Sequence, residues 1–216
     1  MGNVSQEHWD RVYQTKQPTD VSWYRPHLET SLSFIEKAVP NRAAAIIDVG
    51  GGESTLVDDL VARGYGDLSV LDISTTAIVA TRARLGADGD RVHWIRGDAT
   101  EVQLPQARYD LWHDRAVFHF LTDEAARAAY VRQVARSLRI GGHLIVGTFG
   151  PNGPLKCSGL DVVRYDADAL HDAFGSRFDL IEHLEEVHHT PLGREQQFVW
   201  CYCRVRLPGP SILNAA

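Results

Sequence analysis

The residues best placed to do chemistry are the glycines of Ala45-Ile46-Ile47-Asp48-Val49-Gly50-Gly51-Gly52-Glu53-Ser54-Thr55-Leu56 and two acids that follow at ordered spacing. The apolar run reads as a central parallel strand, and the glycines let the backbone turn sharply and approach a ligand closely. Ser54 or Thr55 can cap the helix that follows, whose free amides favour an anionic group. Asp72 closes the next run, Leu68-Ser69-Val70-Leu71-Asp72-Ile73-Ser74, twenty residues beyond Gly52. An acid at that spacing accepts hydrogen bonds from both hydroxyls of a ribose; its plainer reading is a cap for the helix begun at Thr75. A third run, Val92-His93-Trp94-Ile95-Arg96, ends in Gly97-Asp98-Ala99, where an acid beside a small residue suits the amine and plane of adenine. The set points to a nucleoside-bearing cofactor.

In this order the motifs resemble those of the class I S-adenosylmethionine-dependent methyltransferases. Asp48-Val49-Gly50-Gly51-Gly52 is similar to their first motif, Asp72 to their ribose-binding acid, and Gly97-Asp98-Ala99 to their adenine site. Arg139-Ile140-Gly141-Gly142-His143-Leu144 is similar to the turn entering their fifth strand, so the resemblance covers about residues 44 to 150. It implies S-adenosyl-L-methionine as cofactor, S-adenosyl-L-homocysteine as product, and a cofactor site drawn from Asp48, Gly50, Gly52, Asp72, Ile73, Asp98, Ala99 and His113. Ser54 stands where the family often has a further glycine. A nicotinamide dehydrogenase uses a similar glycine turn, but Thr55 occupies the place of its third glycine, which makes that reading the weaker one.

The resemblance sets the carboxyl end of the fourth strand, Tyr109-Asp110-Leu111-Trp112-His113-Asp114-Arg115, beside the methyl group to be transferred. His113, Asp114 and His119 are then the candidate proton acceptors. Asp114 has plainer uses, pairing with Arg115 or capping the short helix that follows, and His119 can be an ordinary core histidine. Asp114-Arg115 resembles the matching segment of thiopurine-type and other small-molecule thiol methyltransferases. Substrate contacts are expected from Arg115, from Lys156 and Cys157 in the loop Gly150 to Leu160, from Arg164, and from the aromatic pair Trp23 and Tyr24. The implied reaction is in-line methyl transfer to a small nucleophile, with a thiol, sulfide or related chalcogen compound leading because a thiolate forms with little help. Two alternatives stand beside it. Trp9-Asp10-x-x-Tyr13 and Ser22-Trp23-Tyr24 are similar to the N-terminal segment of seven-strand protein-lysine methyltransferases, although Asp114-Arg115-Ala116 departs from their usual Glu-Lys-Gly-type segment. A non-catalytic cofactor-binding subunit would carry the same fold.

The elements that must hold these residues alternate along the chain. Strands are expected near residues 45, 69, 92, 109, 143, 180 and 198, with helices between the first five, a short helix over 7–13 and another over 28–38. This is an α/β pattern: a doubly wound, mostly parallel seven-stranded sheet with an antiparallel last strand, the Rossmann-like methyltransferase fold of the resemblance. An N-terminal helical extension over 1–40, a methyltransferase domain over 41–207 and a tail over 208–216 are expected. With 216 residues, 44% of them hydrophobic, the chain can bury a sizeable core. A net charge of −6 argues against general nucleic-acid binding. No apolar run reaches membrane-spanning length and no export signal precedes residue 6, so the chain reads as cytoplasmic with a small-molecule partner, and Gln6 spoils a myristoylation motif. Cys157, Cys201 and Cys203 read as reduced thiols, and with His188 and His189 they lack the paired spacing of zinc modules, so no metal is expected.

Overall fold

The computed structural model describes residues 6–207. The myristoylation reading and the tail over 208–216 concern residues outside these. The chain begins with helices α1, Gln6–Thr15, and α2, Glu29–Ala38, and then enters the sheet at β1, Ala45–Val49. All five residues of β1 are buried, and Ile46, Ile47 and Val49 supply the β-branched side chains that fill both faces of an interior parallel strand. There follow α3, Leu56–Ala62; β2, Asp67–Asp72; α4, Thr75–Leu85; β3, His93–Arg96; and β4, Tyr109–Arg115. After β4 come α5, Glu124–Ser137, and the long β5, Leu138–Phe149. A two-stranded ribbon, β6, Lys156–Cys157, and β7, Leu160–Asp161, leads to α6, Ala167–Phe174, and a closing hairpin, β8, Phe178–His189, and β9, Glu195–Val205.

Among the described residues the main sheet has seven strands in the order β3-β2-β1-β4-β5-β9-β8. The strands from β3 to β5 run parallel, and β9 joins β5 in the antiparallel sense. The chain winds outward from β1 to β3, then returns to β4 on the other side of β1. That reversal opens a crevice beyond the carboxyl ends of β1 and β4, where ligands bind in sheets of this kind.

Alternation along each strand feeds two cores. Ile46, Val70, Leu111 and Ile145 pack with Trp9 of α1, Leu32 and Ile35 of α2 and Leu56 of α3. Ile47, Leu71, Trp112, Leu144 and Val146 pack on the opposite face with Tyr130 of α5 and Leu170 of α6. Residues before position 40 thus share a core with the sheet. Side-chain caps start α4, where Ser74 accepts from Ala77 N at 3.1 Å, and α5, where Asp123 accepts from Ala125 N at 2.9 Å. At α3 Ser54 Oγ accepts from Leu56 N at 3.1 Å, while the Thr55 hydroxyl donates to Arg25 O at 3.0 Å and ties the N-terminal segment down.

Two elements differ from the sequence reading. No helix joins β3 to β4: Asp98 O accepts from Val102 N at 2.8 Å to make a single turn, and Pro105, which has no amide to donate, follows too soon for a second. The 150–160 loop is partly ordered as the β6–β7 ribbon. No helix is long and apolar enough to cross a membrane, and no group of three or more His, Cys, Asp or Glu among the described residues could hold a metal ion. His188 accepts from Arg25 Nε at 3.0 Å and meets Ser22 O at 2.7 Å instead.

Candidate active site

A cleft of about 920 Å³ crosses the carboxyl edge of the sheet. At the β1 end the turn is closely packed. Gly50 sits at φ +66, and a Cβ there would lie 2.0 Å from Val117 Cγ2. Gly52, at φ +43, would bring a Cβ within 2.6 Å of the Tyr13 hydroxyl and 3.1 Å of Asp72 Oδ2. Both positions therefore need glycine for conformation and for space. Asp48 lies beneath the turn, buried, with Oδ2 unpartnered.

Asp72 closes β2 with its carboxyl on the cleft. Oδ1 accepts from Ser74 N at 2.7 Å, and burial raises its pKa to about 7. Hydroxyl donors from a ribose would favour the ionised form and offset that burial. Ile73 lines the cleft beside it. Asp98 commits Oδ1 to Thr100, at 2.7 Å from both its N and its Oγ1, and leaves Oδ2 for a ligand amine next to the small Ala99. The glycine turn, the buried acid and the Asp98–Ala99 pair are those a nucleoside-bearing cofactor requires, and they stand in line along one edge.

The far end of the cleft is aromatic. Trp9 of α1 closes over the strand ends with Trp23, its ring lying 5.9 Å from Trp23 and 5.3 Å from Phe120, both edge to face, while Tyr13 of the same helix reaches back with its hydroxyl at the glycine turn beside Asp72. Phe149 and Phe198 form the opposite wall. Arg115 enters here from the end of β4, donating from Nη1 to Trp23 O at 2.9 Å and lying 5.0 Å above the Phe198 ring. Burial lowers its pKa to about 10, which leaves it charged at neutral pH. Cys157 completes the wall with a thiol that burial holds up at about 11, so it is a neutral surface and not a nucleophile.

Several expected site residues lie elsewhere. His113 points below the sheet edge, with Nδ1 2.7 Å from Asp48 Oδ1 and Nε2 2.9 Å from Ser31 Oγ, so neither nitrogen is free for a substrate or cofactor. Asp114 points to the opposite face, because successive strand residues alternate. There it accepts from Val117 N at 2.8 Å, Phe118 N at 3.0 Å and the Tyr130 hydroxyl, the capping role weighed for it. Burial pushes its carboxyl up to about 6. His119 is buried behind the cleft, accepting from Phe149 N at 3.3 Å through Nδ1, which leaves the proton on Nε2; burial pushes its pKa down to about 3. None of the three candidate bases lines the cleft. Tyr24 faces a separate surface depression with Arg25, Pro26 and His27. Lys156 is exposed and pairs with Asp161 at 3.2 Å, and Arg164 is spent on Pro151 O at 2.6 Å and Gly153 O at 3.2 Å. Sequence reasoning missed Gln196 and Phe198, which share the inward face of β9 with Trp200; a polar residue on that otherwise apolar parity was the available signal.

Strand order, antiparallel β9 and this cleft together define a class I S-adenosylmethionine-dependent methyltransferase fold. The family described as "Methyltransferase domain" matches residues 46–142, and the chain is similar there to the S-adenosylmethionine-dependent methyltransferases. Over 145 residues the chain is 28% identical to the eEF1A lysine and N-terminal methyltransferase of Mus musculus, a match covering 66% of this chain but 20% of that relative. The chain thus spans about a fifth of that relative's length. It is 21% identical over 196 residues to EEF1A lysine methyltransferase 2 of Mus musculus, covering 83% of this chain and 74% of the relative. A solved structure described as "Conversion of a Disulfide Bond into a Thioacetal Group during Echinomycin Biosynthesis" matches with TM-score 0.73 at 21% identity, covering 93% of each chain. At that identity it attests the fold.

Proposed function

We propose that this protein transfers a methyl group from S-adenosyl-L-methionine to a small acceptor bound at the aromatic end of the cleft, with a thiol or sulfide leading. The observation that carries this reading is the placement of ionisable groups: the carboxylates lining the cleft, Asp72 and Asp98, lie at the β2–β3 side, whereas Arg115 stands at the acceptor side. The cofactor supplies an already activated methyl group. Asp72 holds ribose hydroxyls, Asp98 holds the adenine amine, and the glycine turn brings the backbone against the methionine portion. Trp9, Trp23, Phe149 and Phe198 exclude water and present ring faces that attract positive charge. Arg115 stabilises an anionic nucleophile and disfavours a cationic one. A thiolate gives a neutral product, whereas an amine leaves a new cation beside the guanidinium. Among the described residues no imidazole lines the cleft, which suits a nucleophile that arrives deprotonated.

A protein-lysine acceptor is the second reading, supported by the similarity to the eEF1A lysine methyltransferases. Incubation with S-adenosylmethionine and either a panel of thiols or purified eEF1A, read as S-adenosylhomocysteine formed, separates the two. The first reading expects turnover on thiols alone. Turnover on eEF1A alone selects the second, and cofactor binding without turnover on either selects a non-catalytic subunit.

A further inference from the structure

Two buried polar atoms of opposite sense face the same end of the cleft, and neither has a partner in the protein. One is a donor, Arg115 Nη2; the other is an acceptor, Gln196 Oε1, on a residue only 8% exposed. Buried polar atoms are normally paired, and one left without a partner carries an uncompensated desolvation cost. The guanidinium also lacks a direct counter-ion. Glu186, the carboxylate with the strongest pull on it, is occupied by Arg25 at 3.2 Å and by Trp200 Nε1 at 2.9 Å. Nearby His188 is neutral, since burial holds its pKa down to about 4, and adds no charge.

Geometry sets the two atoms within the span of one small molecule. Gln196 precedes Phe198 by two positions on β9, so their side chains share a face at roughly 7 Å spacing. Arg115 lies over that same Phe198 ring at 5.0 Å. Strand order places Gln196 away from the cofactor end: β9 is the third strand beyond β1, roughly 14 Å across the sheet, while Arg115 ends β4, the strand next to β1, and Asp72 and Asp98 lie on the opposite side of β1.

We propose that Arg115 and Gln196 form a two-point anchor that selects the methyl acceptor, taking a small molecule with a carboxylate-like anionic group beside an N–H or O–H. Arg115 Nη2 donates to the anion, and Gln196 Oε1 accepts from the neighbouring donor. This inference rests on the methyltransferase reading of the cleft, and a carboxylate could also come from the methionine portion of the cofactor, so the test separates these sources.

S-Adenosylhomocysteine is first titrated into the protein, and the loaded protein is then titrated with 3-hydroxybenzoate, benzoate and 3-hydroxybenzylamine. The expected result is that 3-hydroxybenzoate binds at least tenfold more tightly than 3-hydroxybenzylamine and more tightly than benzoate. Arg115→Met should weaken the two carboxylates tenfold or more and change S-adenosylhomocysteine affinity less than threefold. Gln196→Leu should remove the advantage of the hydroxyl, and Gln196→Glu, nearly isosteric, should lose the preference for the anion. Equal binding of the three probes, or binding of none of them to the loaded protein, overturns the anchor. Arg115→Met weakening S-adenosylhomocysteine instead assigns the guanidinium to the cofactor and also overturns it. Failure of the unmodified protein to bind S-adenosylhomocysteine refutes the cofactor reading itself.

Discussion

Asp72 carries the largest electrostatic tension at the cofactor end. Its folded pKa, raised to about 7 by burial, lies above the unfolded value near 4, so its contribution to stability is full below pH 4 and is lost as pH rises through 7. The cost of ionising it is on the order of 4 kcal/mol. Asp72→Asn should therefore flatten the fall in melting temperature between pH 4 and 7; an unchanged slope would place the titration elsewhere, with Asp114, raised to about 6, next in line. Ribose hydroxyls favour the ionised carboxyl, so S-adenosylhomocysteine binding at pH 6 should release protons. Calorimetry in buffers of different ionisation enthalpy reads that release directly, and its absence at pH 6 would contradict the role given to Asp72. Residue placement was legible in the sequence only where spacing constrained it. Asp72 closes β2 and Asp98 lies just beyond the end of β3, whereas His113 and Asp114 are adjacent on β4 and cannot share one side of the sheet. Strand parity assigns Arg115 to the face of His113 but one step farther out, where it reaches the cleft.

At the scale of elements, the β1 turn and the segment after β4 depend on each other. Gly50→Ala would place a methyl group against Val117 in a left-handed conformation, so it should lower S-adenosylhomocysteine affinity by tenfold or more even if the variant folds. Asp114 anchors the other side of that contact by capping Val117 and Phe118. Removing the Tyr130 hydroxyl from this buried carboxyl with Tyr130→Phe should cost about 1–3 kcal/mol, seen as a melting temperature lowered by roughly 2–4 °C per kcal/mol. The strands were readable because buried parallel strands carry continuous β-branched runs; at α4 the cap is Ser74, two residues past the Asp72 that the sequence offered for that place. The missing helix between β3 and β4 was harder to see. Alternation of strand and helix is a habit of this architecture, but the segment from Gly97 to Arg108 is short, its backbone turns back on Asp98, and Pro105 ends the turn.

Across the whole molecule, function is divided along the sheet: the β3–β2–β1 half offers carboxylates, and the β4–β5–β9 half offers aromatic rings and one guanidinium. The central strand belongs to both halves and to both cores. Ile47→Ala, fully buried on the α5 and α6 face, should cost about 2–5 kcal/mol and lower the denaturant midpoint with little change in slope. The acceptor end was the least legible part of the chain because its walls come from α1, the Trp23 segment, β4, the β6–β7 ribbon and β9, which only tertiary folding brings together. The cofactor end, by contrast, is built from three consecutive strand ends. The most direct test of the account is calorimetric titration of S-adenosylhomocysteine into the unmodified chain and Asp72→Ala, with NAD as control. Tight binding of S-adenosylhomocysteine, lost in the variant and absent for NAD, is the predicted result; binding of NAD in its place, or S-adenosylhomocysteine binding indifferent to Asp72, would contradict it.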